Sequence, residues 1–256
     1  MVPLSNRDSA MDRSVYVAMT GATQIMRAQD EVAHNLANAN TTGFKSELSA
    51  FQSLPVQGDG MQTRINGVAQ GTGWDMSGGA QMQTGNDLDI SVQGDGWIAV
   101  QGADGNEGYT RAGNLRINAD GLLTDARGNA VMGGGGPITI PQASSVKIGS
   151  DGTISVVPLG ESPSTIATTD RIKLVNPGND QLTYGSDSLM HMKDGSQPPA
   201  DADVRVVSGT IESSNVNPSD VLVKMISLSR EFEMQVRSIK TADDNAQSAS
   251  KLLQVG

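Results

Sequence analysis

The sequence predicts an α+β protein, with N- and C-terminal helices pairing as a coiled coil around a mostly antiparallel β middle domain. Three observations carry this expectation. Glycine is segregated: 23 of the 30 glycines fall between residues 58 and 160, and none falls in 22–42 or 210–255. Both glycine-free ends repeat apolar residues at alternating spacings of three and four, the pattern of a helix seam. The middle alternates short apolar runs with Asp-Gly pairs, which suit tight hairpin turns. The expected division is 1–10 as a leader or upstream extension, 11–45 with 213–256 as a helical domain, 46–85 as an extended connector and 86–212 as a β-rich domain.

The N-terminal helix is expected to start at Met11, with Asp12 as its cap. Val15, Ala18, Ala22, Ile25, Gln29, Val32 and Leu36 then form the seam, and Met19, Met26 and Ala33 widen it on one side. Asn38, Asn40, Thr41, Thr42 and Gly43 end the helix. From Gln57 to Gly85 there is no clear period, so this stretch reads as a connector.

The β middle begins at Leu88, Ile90 and Val92, and resumes at Ile98 and Val100 after the turn Gly94-Asp95-Gly96. Further turn signals at 104–105, 120–121, 128–129 and 151–152 separate runs at 115–117, 130–132, 138–140, 146–148 and 154–157. Residues 170–176 and 203–211 read as later strands. Such spacing implies an antiparallel sandwich, barrel or meander.

Asn217-Pro218-Ser219-Asp220 combines a cap, a first-turn proline and an early acidic residue, so the C-terminal helix starts there. Its seam is Val221, Met225, Leu228, Phe232, Gln235, Ile239, Ala242, Ala246, Ala249 and Leu253. The change from large side chains to alanine requires a close partner at the far end. Leftover apolar surface on both helices implies more than two helices together.

Composition excludes several kinds of function. With no cysteine there is no disulfide, thiolate–metal site or cysteine nucleophile. The net charge of −10 argues against binding nucleic acid through its phosphates. Residues 46–216 hold nineteen acidic and nine basic residues and so carry that whole excess. The glycine run 133–136 leads into Pro137 and a strand, not a phosphate-binding helix. His34 and His191 have no ligand cluster near them in sequence. Asn118-Ala119-Asp120-Gly121 with Asp125 lacks the closing glutamate of a calcium loop and reads as a hairpin turn. No cofactor, metal, catalytic residue or small-molecule substrate is expected, and no signal peptide of the cleaved type is visible.

Three blocks carry a family resemblance. Asn35, Leu36 and Asn38, followed by Thr42, Gly43, Phe44 and Lys45, resemble the N-terminal signature of the axial proteins of the bacterial flagellum, the rod and hook family. Gly94, Asp95, Gly96 and Trp97, with Tyr109, Thr110, Arg111 and Gly113, are similar to that family's central block. Glu212, Ser214 and Asn215, with Phe232, resemble its C-terminal signature. The opening of residues 11–19 and the stretch 135–141 look most like the proximal-rod members. The resemblance implies a structural subunit, not an enzyme. It implies unfolded export through the flagellar type III apparatus and assembly in the periplasmic basal body, with other proximal and distal rod proteins and with copies of itself. It also implies that neighbouring subunits bury the helix seams and that the shaft carries motor torque. A distal-rod or hook paralogue is the nearer alternative. The remoter one is an adhesive or carbohydrate-acting β protein on a helical stalk, which needs an aromatic-lined groove; eight aromatic residues argue against it.

Overall fold

The computed structural model describes residues 5–55, 65–162 and 165–254, without the side chains of 5–17, 49–55, 65–72, 246 and 249–254. Two compact units result: one from the two terminal helices with residues 47–73, the other from residues 38–46 and 74–216. No helix among the described residues is long and apolar enough to cross a membrane.

In the first unit, helix α1 spans Ser5–Ala37 and helix α2 spans Pro218–Gln254. α1 begins earlier than expected. Asp12 lies inside the helix and not at its N-terminus, and residues 5–10 continue the same helix. α2 begins where the sequence indicates, because the Asn217 carboxamide oxygen accepts the Ser219 N–H at 3.1 Å. The helices pack through Ile25, Ala28, Val32 and Leu228, with Val221, Met225 and Phe232 half-buried around them. Gly21 lies against Gln235, so the helices run antiparallel. Strands β1 (Glu47–Pro55) and β2 (Ile65–Trp74) pair as a two-stranded ribbon, so the expected connector is partly paired with itself.

In the second unit every described strand pair is antiparallel. β3 (Gln81–Gln83), β4 (Ile90–Gln93), β5 (Trp97–Gln101), β6 (Glu107–Thr110), β7 (Arg116–Ile117), β8 (Leu123–Thr124) and β9 (Ala130–Val131) come first. β10 (Ala143–Ile148), β11 (Thr153–Pro158), β12 (Ala167–Arg171), β13 (Leu174–Val175), β14 (Leu182–Tyr184), β15 (Met190–Met192), β16 (Arg205–Ser208) and β17 (Thr210–Glu212) follow. The main sheet has the order β14-β15-β6-β5-β9-β8-β7, with β13 also on β5. Smaller sheets are β10-β11-β12, β16-β4 and β17-β3.

β5 shows why the core sits where it does. A strand points alternate side chains to opposite faces. Ile98 and Val100 enter the larger cluster with Ile90, Leu123, Ile154 and Leu174. Trp97 and Ala99 enter the other with Tyr109, Val175 and Leu182. Both faces of this strand are therefore covered, and all four residues are buried. The run 138–140 is not a strand: Thr139 and Pro137 make only isolated bridges, to Leu122 and Met132. Ile138 and Ile140 are nonetheless buried, because apolar side chains need the core whether or not their backbone joins a ladder. Asn118 accepts the Asp120 and Leu122 N–H groups at 2.9 Å each, which is a turn and not a cation loop.

Candidate functional site

In the second unit, residues far apart in sequence converge on one carboxylate. Glu212 ends β17 as its one buried residue. Its Oε1 accepts Lys45 Nζ at 2.7 Å and the Gly79 N–H at 3.0 Å, and its Oε2 accepts Arg111 Nη1 at 3.1 Å. Lys45 Nζ also donates to the Ser77 carbonyl at 2.7 Å, and Arg111 Nη2 to the Gly94 carbonyl at 2.8 Å. The three charged side chains are only 2%, 5% and 4% exposed for Lys45, Arg111 and Glu212.

Burial shifts both ends of this cluster. Burial lowers the Lys45 ammonium below its ordinary value, and its bond to Glu212 recovers only part of that. Burial pushes the Glu212 carboxyl up, but the Lys45 and Gly79 hydrogen bonds and the two cations hold it below its ordinary value.

Backbone geometry permits this convergence. Gly43 has φ +68°, and a Cβ there would lie 2.3 Å from the Arg111 carbonyl carbon. Its N–H donates to the Glu212 carbonyl at 2.8 Å. Only glycine allows that turn and that approach. Gly113 lies closer still to the Ile90 carbonyl, where a Cβ would fall 1.7 Å from the oxygen. Asn215 ties the neighbouring segments together. Its Oδ1 accepts the Ser46 N–H at 2.8 Å, and its Nδ2 donates to the Asp75 carbonyl at 2.9 Å. The Ser214 hydroxyl accepts the Val216 N–H, the Thr110 hydroxyl accepts the Ala112 N–H, and Asn38 accepts the Thr41 hydroxyl.

Five of the eight aromatic residues collect in this unit. The Arg111 guanidinium lies 5.2 Å from the Trp97 ring centroid. Trp74 stacks on Tyr184 at 4.0 Å and meets Phe44 edge-on at 6.3 Å. Phe44, Trp97 and Tyr109 are buried, so their rings are packing elements and not an open sugar platform.

In the helical unit, the α2 pattern is resolved residue by residue. Val221, Met225, Leu228, Phe232, Gln235, Ile239 and Ala242 are buried or half-buried, while every other side chain from 221 to 243 is exposed. On α1 the buried line is Ala18, Ile25, Ala28, Val32 and Asn35, with Gln24 buried next to it. Ala22, Gln29 and Leu36 are half-buried beside it. The expected seam is thus displaced by one residue at alternate positions. Ala28 is small enough to lie at the contact where Gln29 is not. Met19, Met26 and Ala33 are exposed. The side chains of Val15, Ala246, Ala249 and Leu253 lie outside the described residues. At the end of α1, the Asn35 carboxamide donates to the Glu47 carbonyl and accepts the Glu47 N–H, both at 2.9 Å.

Three family models match the chain: a flagella basal body rod protein model at residues 15–45, a flagellar hook protein FlgE/F/G D1 domain model at 91–156 and a flagellar basal body rod FlgEFG protein C-terminal model at 207–252. The flagellar basal-body rod protein FlgF of Salmonella typhimurium strain LT2 is 41% identical over 249 residues, covering 95% of this chain and 99% of the relative. The FlgF of Escherichia coli strain K12 is 40% identical with the same coverage. That of Buchnera aphidicola subsp. Schizaphis graminum is 30% identical, covering 96% of this chain and 99% of the relative. The chain belongs to the FlgF family of flagellar basal-body rod proteins. Members of the FlgF family are structural rod subunits, not enzymes, and this chain is one of them. Each of the three matched regions contributes one charged residue to the buried cluster: Lys45, Arg111 and Glu212.

Sequence reasoning missed Lys45 and Glu212 as a pair, together with Gln24 and Ala28 on the helix face. Local periodicity offered no signal for the pair, because Lys45 and Glu212 lie 167 residues apart; only the general need of a buried charge for an opposite partner points to it.

Proposed function

We propose that the chain is a proximal-rod subunit that is exported unfolded through the flagellar type III apparatus, without signal cleavage, and assembles in the periplasm. Its helices supply coiled-coil seams that interlock with other rod proteins and with copies of itself, and the assembled shaft transmits motor torque. In this reading residues 11–45 and 213–256 form the inner helical domain, 46–85 a connector that bridges adjacent subunits and 86–212 an outer β domain. Residues 1–10 are a leader or upstream extension. The seam residues Val15, Ala18, Ala22, Ile25, Val32, Leu36, Val221, Met225, Leu228, Phe232, Ile239, Ala242, Ala246 and Leu253 hold one helix pair together and register it against the next.

One observation carries the reading. Both helices keep large apolar side chains on faces turned away from each other: Met26 is 53% exposed, Ile226 56% and Met234 61%. Leu222, Val223 and Val236 extend that surface. Several large apolar side chains exposed on one helix pair suit burial by a further partner. Their burial by further helices is worth about 25 cal/mol per Å².

The test is the double variant Ile226→Glu/Met234→Glu. Both side chains face solvent in the monomer, so its melting temperature should stay within about 2 °C, as for surface changes of under ~0.5 kcal/mol. Rod incorporation and swimming should fail while export continues. Normal incorporation would overturn the reading.

A further inference from the structure

The buried cluster contains one more cation than anion. Lys45 and Arg111 share the single carboxylate of Glu212. Asp75 acts on Lys45 only through its charge, and its Oδ1 accepts the Ser77 N–H. Arg111 spends both terminal nitrogens on Glu212 and Gly94. Its Nε is buried without a hydrogen-bond partner.

The same two cations line a cavity of about 20 Å³, and Arg127 is the third cation in its wall. Phe44, Trp97 and Tyr184 supply apolar wall, and no carboxylate contributes to it. Arg127 is exposed and is held by donating to the Ser188 carbonyl at 2.9 Å. Ser188, also in the wall, has φ 64° and is the one non-glycine residue at positive φ among the described residues. Such a backbone persists only where its surroundings impose it.

We propose that this cavity is an anion site that takes one carboxylate. The orphaned Arg111 Nε–H supplies a charge-assisted hydrogen bond, and Lys45 and Arg127 supply the remaining positive field. About 20 Å³ admits one or two water-sized groups. That suits the two oxygens of a carboxylate and is too small for a tetrahedral sulfate or phosphate. The general field does not explain such a site, because residues 46–216 hold nineteen acidic and nine basic residues. The carboxylate belongs either to a small free acid or to an Asp or Glu side chain of a neighbouring copy. The proposal does not rest on the rod reading, since it concerns groups within one unit.

The test titrates the full-length chain with sodium formate, with sodium sulfate at matched ionic strength as the control. The Arg111 Nε–H resonance is followed by NMR. Formate should give a saturable shift and sulfate none. Arg127→Gln should keep the melting temperature and weaken formate by about tenfold, the loss of one charge-assisted contact. Equal responses to the two salts, or unchanged affinity in Arg127→Gln, would overturn the site. Arg127→Glu then distinguishes the two sources. Lost rod incorporation with an unchanged monomer melt identifies a neighbour's carboxylate. Normal incorporation with lost formate binding identifies a free acid. Either result supports the site.

Discussion

Glu212 is the residue on which the second unit depends. Two buried cations point at it, so removing its charge leaves both without compensation in a dry interior. Breaking one side of a buried ion pair costs about 3–5 kcal/mol. Glu212→Gln should lose about that much in denaturant unfolding at neutral pH. The sign of the pH dependence follows from the shifts. Glu212 is held below its ordinary value of 4.5, so its contribution is complete above pH 4.5 and disappears as pH falls through the folded-state value. The gap between the native chain and Glu212→Gln should therefore narrow in acid. Lys45 is lowered from 10.5, so below its folded value the full burial penalty applies. Stability then rises with pH between that value and 10.5, where the unfolded chain binds more protons. A gap that stays constant down to pH 3 would contradict this role for Glu212.

At the scale of the element, the two helices differ in how much their sequence disclosed. On α2 the expected positions from Val221 to Ala242 are the buried or half-buried ones, while the side chains of Ala246, Ala249 and Leu253 lie outside the described residues. The α1 seam could be read only to within one residue. Ala22, Gln29 and Leu36 fit the heptad as well as Gly21, Ala28 and Asn35 do, and the approach of α2 decides between them. Asn35 was legible as a signature but not as a buried group, because its two bonds to the Glu47 backbone depend on the turn that follows. The hairpins were visible in their Asp-Gly turns, whereas pairings such as Lys45 with Glu212 span 167 residues and leave no trace in local periodicity. The depth of burial in the seam makes a quantitative prediction. Leu228 is 4% exposed, so Leu228→Ala should cost about 2–5 kcal/mol of helix-pair stability. Phe232 is only half-buried. Phe232→Ala should cost roughly 1–2 kcal/mol in the monomer, less than the ~3–5 of a fully buried Phe, with a further loss on rod incorporation. Helix signal from far-UV circular dichroism during unfolding reads the first quantity, and motility with export measured separately reads the second. Equal monomer losses for the two variants would place Phe232 in the intramolecular core.

On the scale of the whole molecule, the two units have opposite balances of cohesion and charge. The β unit carries two buried clusters and the excess acid. The helical unit is close to neutral, with nine basic and eleven acidic residues in 1–37, 47–73 and 217–256. Among the described residues its buried cluster is Ile25, Ala28, Val32 and Leu228. Local stability follows buried apolar packing, so amide exchange in dilute monomer should be graded. Residues 88–157 should exchange slowest. The helix segments around 21–32 and 221–235 should be intermediate, because Ile25, Ala28, Val32 and Leu228 meet there. The α2 segment beyond residue 239 should exchange fastest. An isolated helix is only marginally stable in water, and this segment is expected to depend on neighbouring subunits for its order. Assembled rods should therefore gain protection mainly in the helices, and most of all beyond residue 239. If the helices of dilute monomer were as protected along their full length as the β core, intersubunit contacts would not be what orders them. The exposed Met26, Ile226 and Met234 would then need another explanation.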